Sequence, residues 1–435
     1  MSGKGPEVSQ KEVALRPTLA AWLAEYDAIE REYLSALEAT GITFAPRNEG
    51  ADRVRALRKR LRERGVRFMN GGASVSIGFL SSACAACVGD CGSRTFYINL
   101  RCTRDCYFCF NPNQADFEEH CRHDTPWRQD LEAFVRETAV THVGLTGGEP
   151  LLAPDEALAF FRRAHELAPD AHLRLYTSGI GLDEAFCAVA AGAGLREVRF
   201  SVKLDEGEAA VKQALAAIDL ARRYVPDVMV EMPVVPGTLE RMKRLLVQLD
   251  ERGVRGINLL EFCYPFRNWD EFARRGLTIA NPPFDVLYNY GYAGGLPVAG
   301  SEEACLTLVE YALDEGLHLG VHYCSLNNKN RDQILQANRA VTLDPTLYEL
   351  GEDCFYHTAK VFDGDVERAI SALRAQNRPF TLEEDNTCLT FHPQATPIVS
   401  ATGALVAHSW NVVEHQKSTL VVRELKLALG ENDER

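Results

Sequence analysis

Residues 101–109 read Arg-Cys-Thr-Arg-Asp-Cys-Tyr-Phe-Cys, which sets Cys102, Cys106 and Cys109 at C-x3-C-x2-C spacing. The run Thr95-Phe96-Tyr97-Ile98-Asn99-Leu100 just ahead reads as a strand. So short a loop brings three thiolates to three corners of one cubane iron–sulfur cluster and leaves the fourth iron without a protein ligand. An open iron binds and activates a ligand, whereas a structural zinc knuckle keeps all four positions closed. The spacing taken alone also fits a zinc site that borrows a distant fourth ligand.

A second strand end narrows the choice. Val143-Gly144-Leu145-Thr146-Gly147-Gly148-Glu149-Pro150 carries an apolar strand into paired glycines, an acid and a proline, followed by the helical pattern Asp155–Phe161. Adjacent glycines let the backbone approach a ligand closely and present its polar groups. Glu149 adds an acceptor suited to an ammonium group. With these two motifs about forty residues apart and in this order, the chain resembles the radical S-adenosylmethionine (SAM) superfamily. That family's cluster loop, CxxxCxΦC, has an aromatic before its last cysteine, the place of Phe108. Its GGEP signature is matched by Gly147-Gly148-Glu149-Pro150. The resemblance implies that Cys102, Cys106 and Cys109 hold a [4Fe–4S] cluster whose open iron binds the amino and carboxylate groups of SAM. Gly147, Gly148 and Glu149 would then meet the amine. It further implies a flavodoxin- or ferredoxin-type reductant, cleavage of SAM to methionine and a 5′-deoxyadenosyl radical, and hydrogen abstraction from a substrate carbon.

Composition fits such a chain without naming its substrate. At 435 residues it can bury a sizeable core in one large catalytic domain with extensions. Its N-terminus is polar, with no signal-peptide core, and no apolar run approaches a bilayer span. Free cysteines at metal-ligand spacing indicate a reducing, cytoplasmic setting. A net charge of −14 argues against nucleic-acid binding and is compatible with a cationic substrate.

Residues 1–12 read as disordered, followed by helical patterns near Thr18–Leu37 and Ala51–Arg64. The second is rich in arginine, either as a solvated face pairing with acidic neighbours or as a docking face for an acidic partner. Strand-like segments at Thr95–Leu100, Thr141–Leu145, His172–Thr177, Glu197–Val202, Val228–Pro233 and Gly256–Glu261 alternate with helical ones. This predicts an α/β fold with a parallel sheet. Six repeats fit the partial (β/α)6 TIM-like barrel that the resemblance implies, with active groups at the carboxyl ends of strands. The expected division is an N-terminal helical extension with a cysteine-rich knuckle at 1–92, the barrel core at 93–264, and a C-terminal α+β capping region at 265–435.

Other strand ends supply further candidates. Similarity to the family suggests Ser178, and Ser201 or Lys203, as contacts to the ribose or carboxylate of SAM; Ser178 also reads as a helix cap. Glu261 is expected to face the barrel mouth, there to meet substrate or to form a structural salt bridge. Upstream, Cys84-Ala85-Ala86-Cys87-Val88-Gly89-Asp90-Cys91 forms a C-x2-C-x3-C run, the pattern of a second iron–sulfur cluster or a structural zinc. Strict alternation in Leu317–Cys324 puts His318, His322 and Cys324 on one face. Cys324 is the expected fourth ligand, with Cys121, Cys305 and Cys354 as rivals, and His322 and Glu261 are the candidate catalytic residues. Tyr290–Gly295 reads as a loop over the barrel mouth or a plain connection. The expected substrate is a small polar metabolite, with an amino sugar dehydrated or oxidised in natural-product biosynthesis as the named example. A peptide or protein substrate with an auxiliary cluster is the alternative. A non-catalytic electron carrier or zinc scaffold is the third reading, which an amine-binding GGEP strand end disfavours.

Overall fold

The computed structural model describes residues 16–89, 91–288, 295–339, 341–416 and 419–429. The expected disorder of residues 1–12 and most of the glycine-rich segment at 290–295 lie outside the described residues.

The main sheet is built from β1 (Arg67–Met69), β2 (Ser74–Ile77), β3 (Ser93–Tyr97), β4 (His142–Thr146), β5 (His172–Thr177), β6 (Leu195–Phe200), β7 (Asp227–Val234) and β8 (Gly256–Glu261). The short pair β9 (Cys263–Tyr264) and β10 (Leu296–Pro297) precedes its last member, β11 (Gly320–Cys324). The spatial order is β1-β2-β11-β8-β7-β6-β5-β4-β3, so the sheet is open, as a partial barrel is. Neighbours from β3 through β8, and β8 with β11, run parallel. β1 and β2 complete the edge antiparallel.

Alternation fixes which side chains meet the helices. Val143, Leu145, Leu173, Leu175, Val198, Phe200, Val230, Ile257, Leu259 and Val321 lie on the outer face in one core cluster. Leu131, Phe160, Phe161, Ile218 and Leu246, from the surrounding helices, belong to the same cluster. Each such aliphatic or aromatic side chain, fully buried, contributes about 1.5–3 kcal/mol.

Two differences from the expected layout have physical causes. β3, expected over Thr95–Leu100, stops at Tyr97, because Ile98 O accepts from Thr125 N–H (2.7 Å) and Leu100 N–H donates to His120 O (2.9 Å). The parallel sheet also does not end at residue 264. The helix Ser301–Asp314 and β11 form one more helix–strand unit, in register with β8 through Val321–Ile257 and His322–Asn258. The irregular stretch between β8 and that helix breaks the sequence periodicity and hides this unit.

Residues 51–77, expected within the extension, likewise join the barrel: the helix Ala51–Glu63 lies on Ser301–Asp314, and β1–β2 follow. Arg53, Arg60 and Arg64 pair there with Glu303, Glu310 and Asp314, so this basic face has acidic neighbours.

The C-terminal region is an antiparallel sheet of β12 (Glu349–Leu350), β13 (Tyr356–Phe362), β14 (Phe380–Leu382), β15 (Cys388–Phe391), β16 (Ala407–Gln416) and β17 (Thr419–Leu429). The helix Pro17–Glu38 packs on this sheet. Leu19, Trp22, Leu23 and Tyr26 cluster with Phe362, Ala407 and Leu427, and the Thr18 hydroxyl donates to Asp363 Oδ1 (2.6 Å).

Candidate functional site

Beyond β3 the chain is held by its own backbone. Asn99 O accepts from Gly148 N–H (3.3 Å) and Arg101 O from Glu149 N–H (2.7 Å). Gly147 has φ +127°, and a Cβ there would lie 2.5 Å from Asn99 O; at Gly148 it would lie 1.8 Å from Arg101 O. Only glycine permits that approach. The Asn111 amide closes the loop from the other side by donating to Gly147 O (2.7 Å). The paired glycines therefore seat the cysteine loop on the end of β4.

Within the loop, Cys102 is exposed and Cys106 and Cys109 are half-buried. Arg104 N–H donates to Cys102 Sγ (3.4 Å). Burial raises the Cys106 and Cys109 thiols, and the Lys203 charge opposes this in both. Arg104 pairs with Glu206 at 2.7 Å, tying the loop to the turn after β6. Phe108 stands edge-on to Phe262, and Lys203 Nζ lies 4.9 Å from the Phe108 ring centroid. Phe108, Lys203, Met232, Pro233 and Val235 line a cavity of about 440 Å³ at the ends of β6 and β7. Three thiols in one loop, cations beside them and a cradle that only glycine allows suit a cubane and its nucleoside ligand. Ser201 lies outside that cavity, its N–H donating to Thr177 O (3.0 Å).

Glu149 does not offer its carboxylate to a ligand amine. It is 3% exposed and receives Leu151 N–H (3.1 Å), the Thr177 hydroxyl (2.6 Å), Ser178 N–H (2.7 Å) and the Ser178 hydroxyl. Four donors saturate the carboxylate, whose observed part is to lock the end of β4 to the end of β5. Ser178 is accordingly committed to Glu149. It caps no helix, since the next one, Glu184–Gly192, is capped by Asp183.

The inner face of the sheet is polar, which the sequence reading missed. Arg174 (β5), Glu197 and Arg199 (β6), Glu231 (β7), Asn258 (β8) and His322 (β11) alternate with the apolar outer residues. Arg199 is 4% exposed; it pairs with Glu197, with Glu231 (2.6 Å), and with Ser81 Oγ (3.0 Å). Burial alone would raise Glu197, but hydrogen bonds from His172 and Ser81 and the Arg199 charge hold it down at about 2. The available signal was Arg-Glu-Val-Arg-Phe at 196–200, where charge recurs at period two in a strand expected to be buried.

His322 belongs to this network. Its Nδ1 donates to Asn258 Oδ1 (2.9 Å) and its Nε2 accepts from the Ser74 hydroxyl (2.7 Å). Burial and the Arg199 charge lower it from 6.5 to about 4. It is a satisfied, neutral core histidine and not a proton carrier. Because the unfolded chain takes up this proton first, stability is full above pH ~6.5 and falls as the pH drops towards 4, by up to about 3 kcal/mol. Urea unfolding at pH 7.5 and 4.5 should show this difference, and His322→Gln should shrink it.

Glu261 also departs from expectation. It shares the parity of Ile257 and Leu259 and faces outward, away from the polar face that carries Asn258. There it accepts from Leu326 N–H (2.7 Å) and lines a cavity of about 400 Å³ with Arg58, Asp285, Glu302 and Tyr323. Burial, then the Glu302 charge, push it up to about 8.

Of the second cysteine group, the structure brings Cys84 and Cys87 near Cys324, each thiol close enough to sense another's charge. Cys324 is buried, Cys84 half-buried, and Cys87 and Cys91 are both exposed. Among the described residues no three His, Cys, Asp or Glu stand close enough to share a single ion.

Residues 96–249 match the family model of the radical SAM superfamily. The chain is 24% identical, over 323 residues covering 71% of it and 82% of the relative, to the "putative glycyl-radical enzyme activating enzyme" of Methanocaldococcus jannaschii. Among solved structures, methylornithine synthase is matched at 14% identity and a TM-score of 0.31, over 43% of this chain and 62% of that one. The radical SAM methyltransferase TsrM of Kitasatospora setae is matched at 17% identity and a TM-score of 0.33, over 54% and 50%. The chain thus spans less than two thirds of either structure. No helix among the described residues is long and apolar enough to cross a membrane.

Proposed function

The chain belongs to the radical SAM superfamily, and on that footing we propose that it cleaves SAM reductively and abstracts hydrogen from a small polar metabolite. The observation that carries this reading is the seating of the three-cysteine loop on Gly147 and Gly148. When bound at Cys102, Cys106 and Cys109, the cluster supplies the electron that splits SAM into methionine and a 5′-deoxyadenosyl radical. The chain's own residues orient and protect. Phe108 and the ends of β6 and β7 offer an apolar wall suited to the adenosyl group, and Lys203, lining the same cavity, offers a cation to the SAM carboxylate. Glu149 acts through Thr177 and Ser178, keeping adjacent strand ends in register under that ligand. On the polar inner face, Arg174 is buried with its Nη1 lacking a hydrogen-bond partner, which supports a substrate bearing hydroxyl or carboxylate groups, an amino sugar being one with hydroxyls.

A second reading is favoured by the relative's name: hydrogen abstraction from a glycine of a partner protein. Incubation of the anaerobic, dithionite-reduced protein with SAM and deuterated metabolite pools separates the two. Deuterium in 5′-deoxyadenosine from a small-molecule fraction supports the first. Transfer only from a protein fraction, with a glycyl radical signal by EPR, replaces it with the second. A protein that holds its cluster and forms no 5′-deoxyadenosine refutes both.

A further inference from the structure

The seam between the barrel and the C-terminal sheet encloses a cavity apart from the cysteine loop. The helix Leu326–Arg339 forms one side of it, and β13 and β16 form the other. Asn338 pins that helix in place: its amide donates to Cys354 O (2.8 Å) and its Oδ1 accepts from Val413 N–H (2.8 Å). The cavity holds about 400 Å³, with Ile334, Phe355 and Trp410 as its apolar wall.

Three polar side chains that line it each have an atom closed to water and without a hydrogen-bond partner. These atoms are Nδ2 of Asn330, Nη1 of Arg331 and Nδ1 of His357. Asn330 is only 3% exposed and His357 7%. Native chains satisfy nearly every buried donor and acceptor, so three such atoms round one cavity mark a place where a bound group completes the bonding. Among the described residues Arg331 also forms no salt bridge. The other cation on the wall, Lys426, is engaged, donating to Asp285 O (2.9 Å).

The surrounding groups fix what such a ligand carries. Asp353 accepts from His357 Nε2 (2.8 Å) and from Trp410 Nε1 (2.9 Å). A Cβ at Gly351 would lie 2.6 Å from His357 Nε2, so the glycine leaves the ring its place. Asp353 holds the imidazole proton on Nε2, and Nδ1 of the neutral ring is then an acceptor. Arg331 and Asn330 offer donors, and one guanidinium without a counter-ion balances one negative charge. Asp353 and Glu349 on the same wall oppose a second charge, which separates a carboxylate from a phosphate dianion.

We propose that this cavity binds a small organic monocarboxylate with an apolar body and a hydroxyl group, its carboxylate on Arg331 and Asn330 and its hydroxyl donating to His357 Nδ1. The site does not rest on the radical chemistry, and its test reads binding alone.

The test is calorimetric titration of the full-length, anaerobically reconstituted protein with mandelate, phenyllactate and salicylate, hydroxy acids that each carry one ring. At least one should bind, and the tightest becomes the probe. Its uncharged amide should bind the parent protein at least about tenfold more weakly, a reading that needs no variant. Arg331→Gln should weaken the probe by a similar factor and Asn330→Leu by several-fold, whereas Arg136→Gln, at an exposed site elsewhere, should leave it unchanged. The same acid without its hydroxyl should bind the parent more weakly, and that difference should vanish in His357→Phe. Binding of none of the three acids, equal binding of the amide, affinity that survives Arg331→Gln, or inorganic phosphate bound more tightly than every acid would each overturn the proposal.

Discussion

Replacing any one of Cys102, Cys106 and Cys109 by alanine should abolish 5′-deoxyadenosine formation from SAM under anaerobic, dithionite-reduced conditions. All three thiols come from a single loop seated by backbone contacts, and no fourth cysteine of that loop is placed to substitute. Because the cofactor supplies the difficult chemistry, losing a ligand removes the acceleration itself, a drop of at least about 10⁶-fold. Product chromatography after single-turnover incubation reads this directly. A variant that forms product at even a hundredth of the parent rate would show that the loop is not the cluster's anchor.

Gly148→Ala should be nearly as damaging while leaving every thiol in place. Its Cβ would enter the space held by Arg101 O at 1.8 Å, and the atom in the way is backbone, which no rotamer change can move. Overpacking of a flexible core side chain costs about 1–3 kcal/mol, and a backbone obstacle lies at or above the upper end. The cysteine loop should lift from β4, and iron bound at Cys102, Cys106 and Cys109 should fall several-fold. Gly192→Ala is the matched control, since a Cβ there meets nothing within 4 Å. Iron content and melting temperature of the two variants check the prediction. Equal iron in both would mean that the glycines serve a ligand and not the loop.

The parts of the fold that could be read in the sequence are those set by local pattern. The six expected strands lie within about two residues of their places at most ends, because an apolar outer face at period two is a local property. β11 was visible as a strand from the alternation Leu317–Cys324, but its place beside β8 rests on a pairing that no local pattern encodes. Glu261 shows the cost of the same limit. Its strand was placed correctly, yet one residue of parity decides whether a carboxylate faces a lumen or a helix layer. Glu149 is legible as a motif, but its surroundings are not, since its four donors come from Leu151, Thr177 and Ser178, three of the four at another strand end. The inner network around Arg199 is not legible because each charged residue looks like surface until its partners on other elements, here Ser81 and Glu231, are known.

The pairing of the helix Pro17–Glu38 with the C-terminal sheet has a consequence for how the chain is made. Trp22, Leu23 and Tyr26 leave the ribosome roughly 400 residues ahead of Ala407 and Leu427, against which they rest. At ~5–20 residues per second the interval is roughly 20–80 s. Throughout that wait an amphipathic helix carries an uncovered oily stripe, which a holding chaperone or transient self-association has to shelter until its seat is translated.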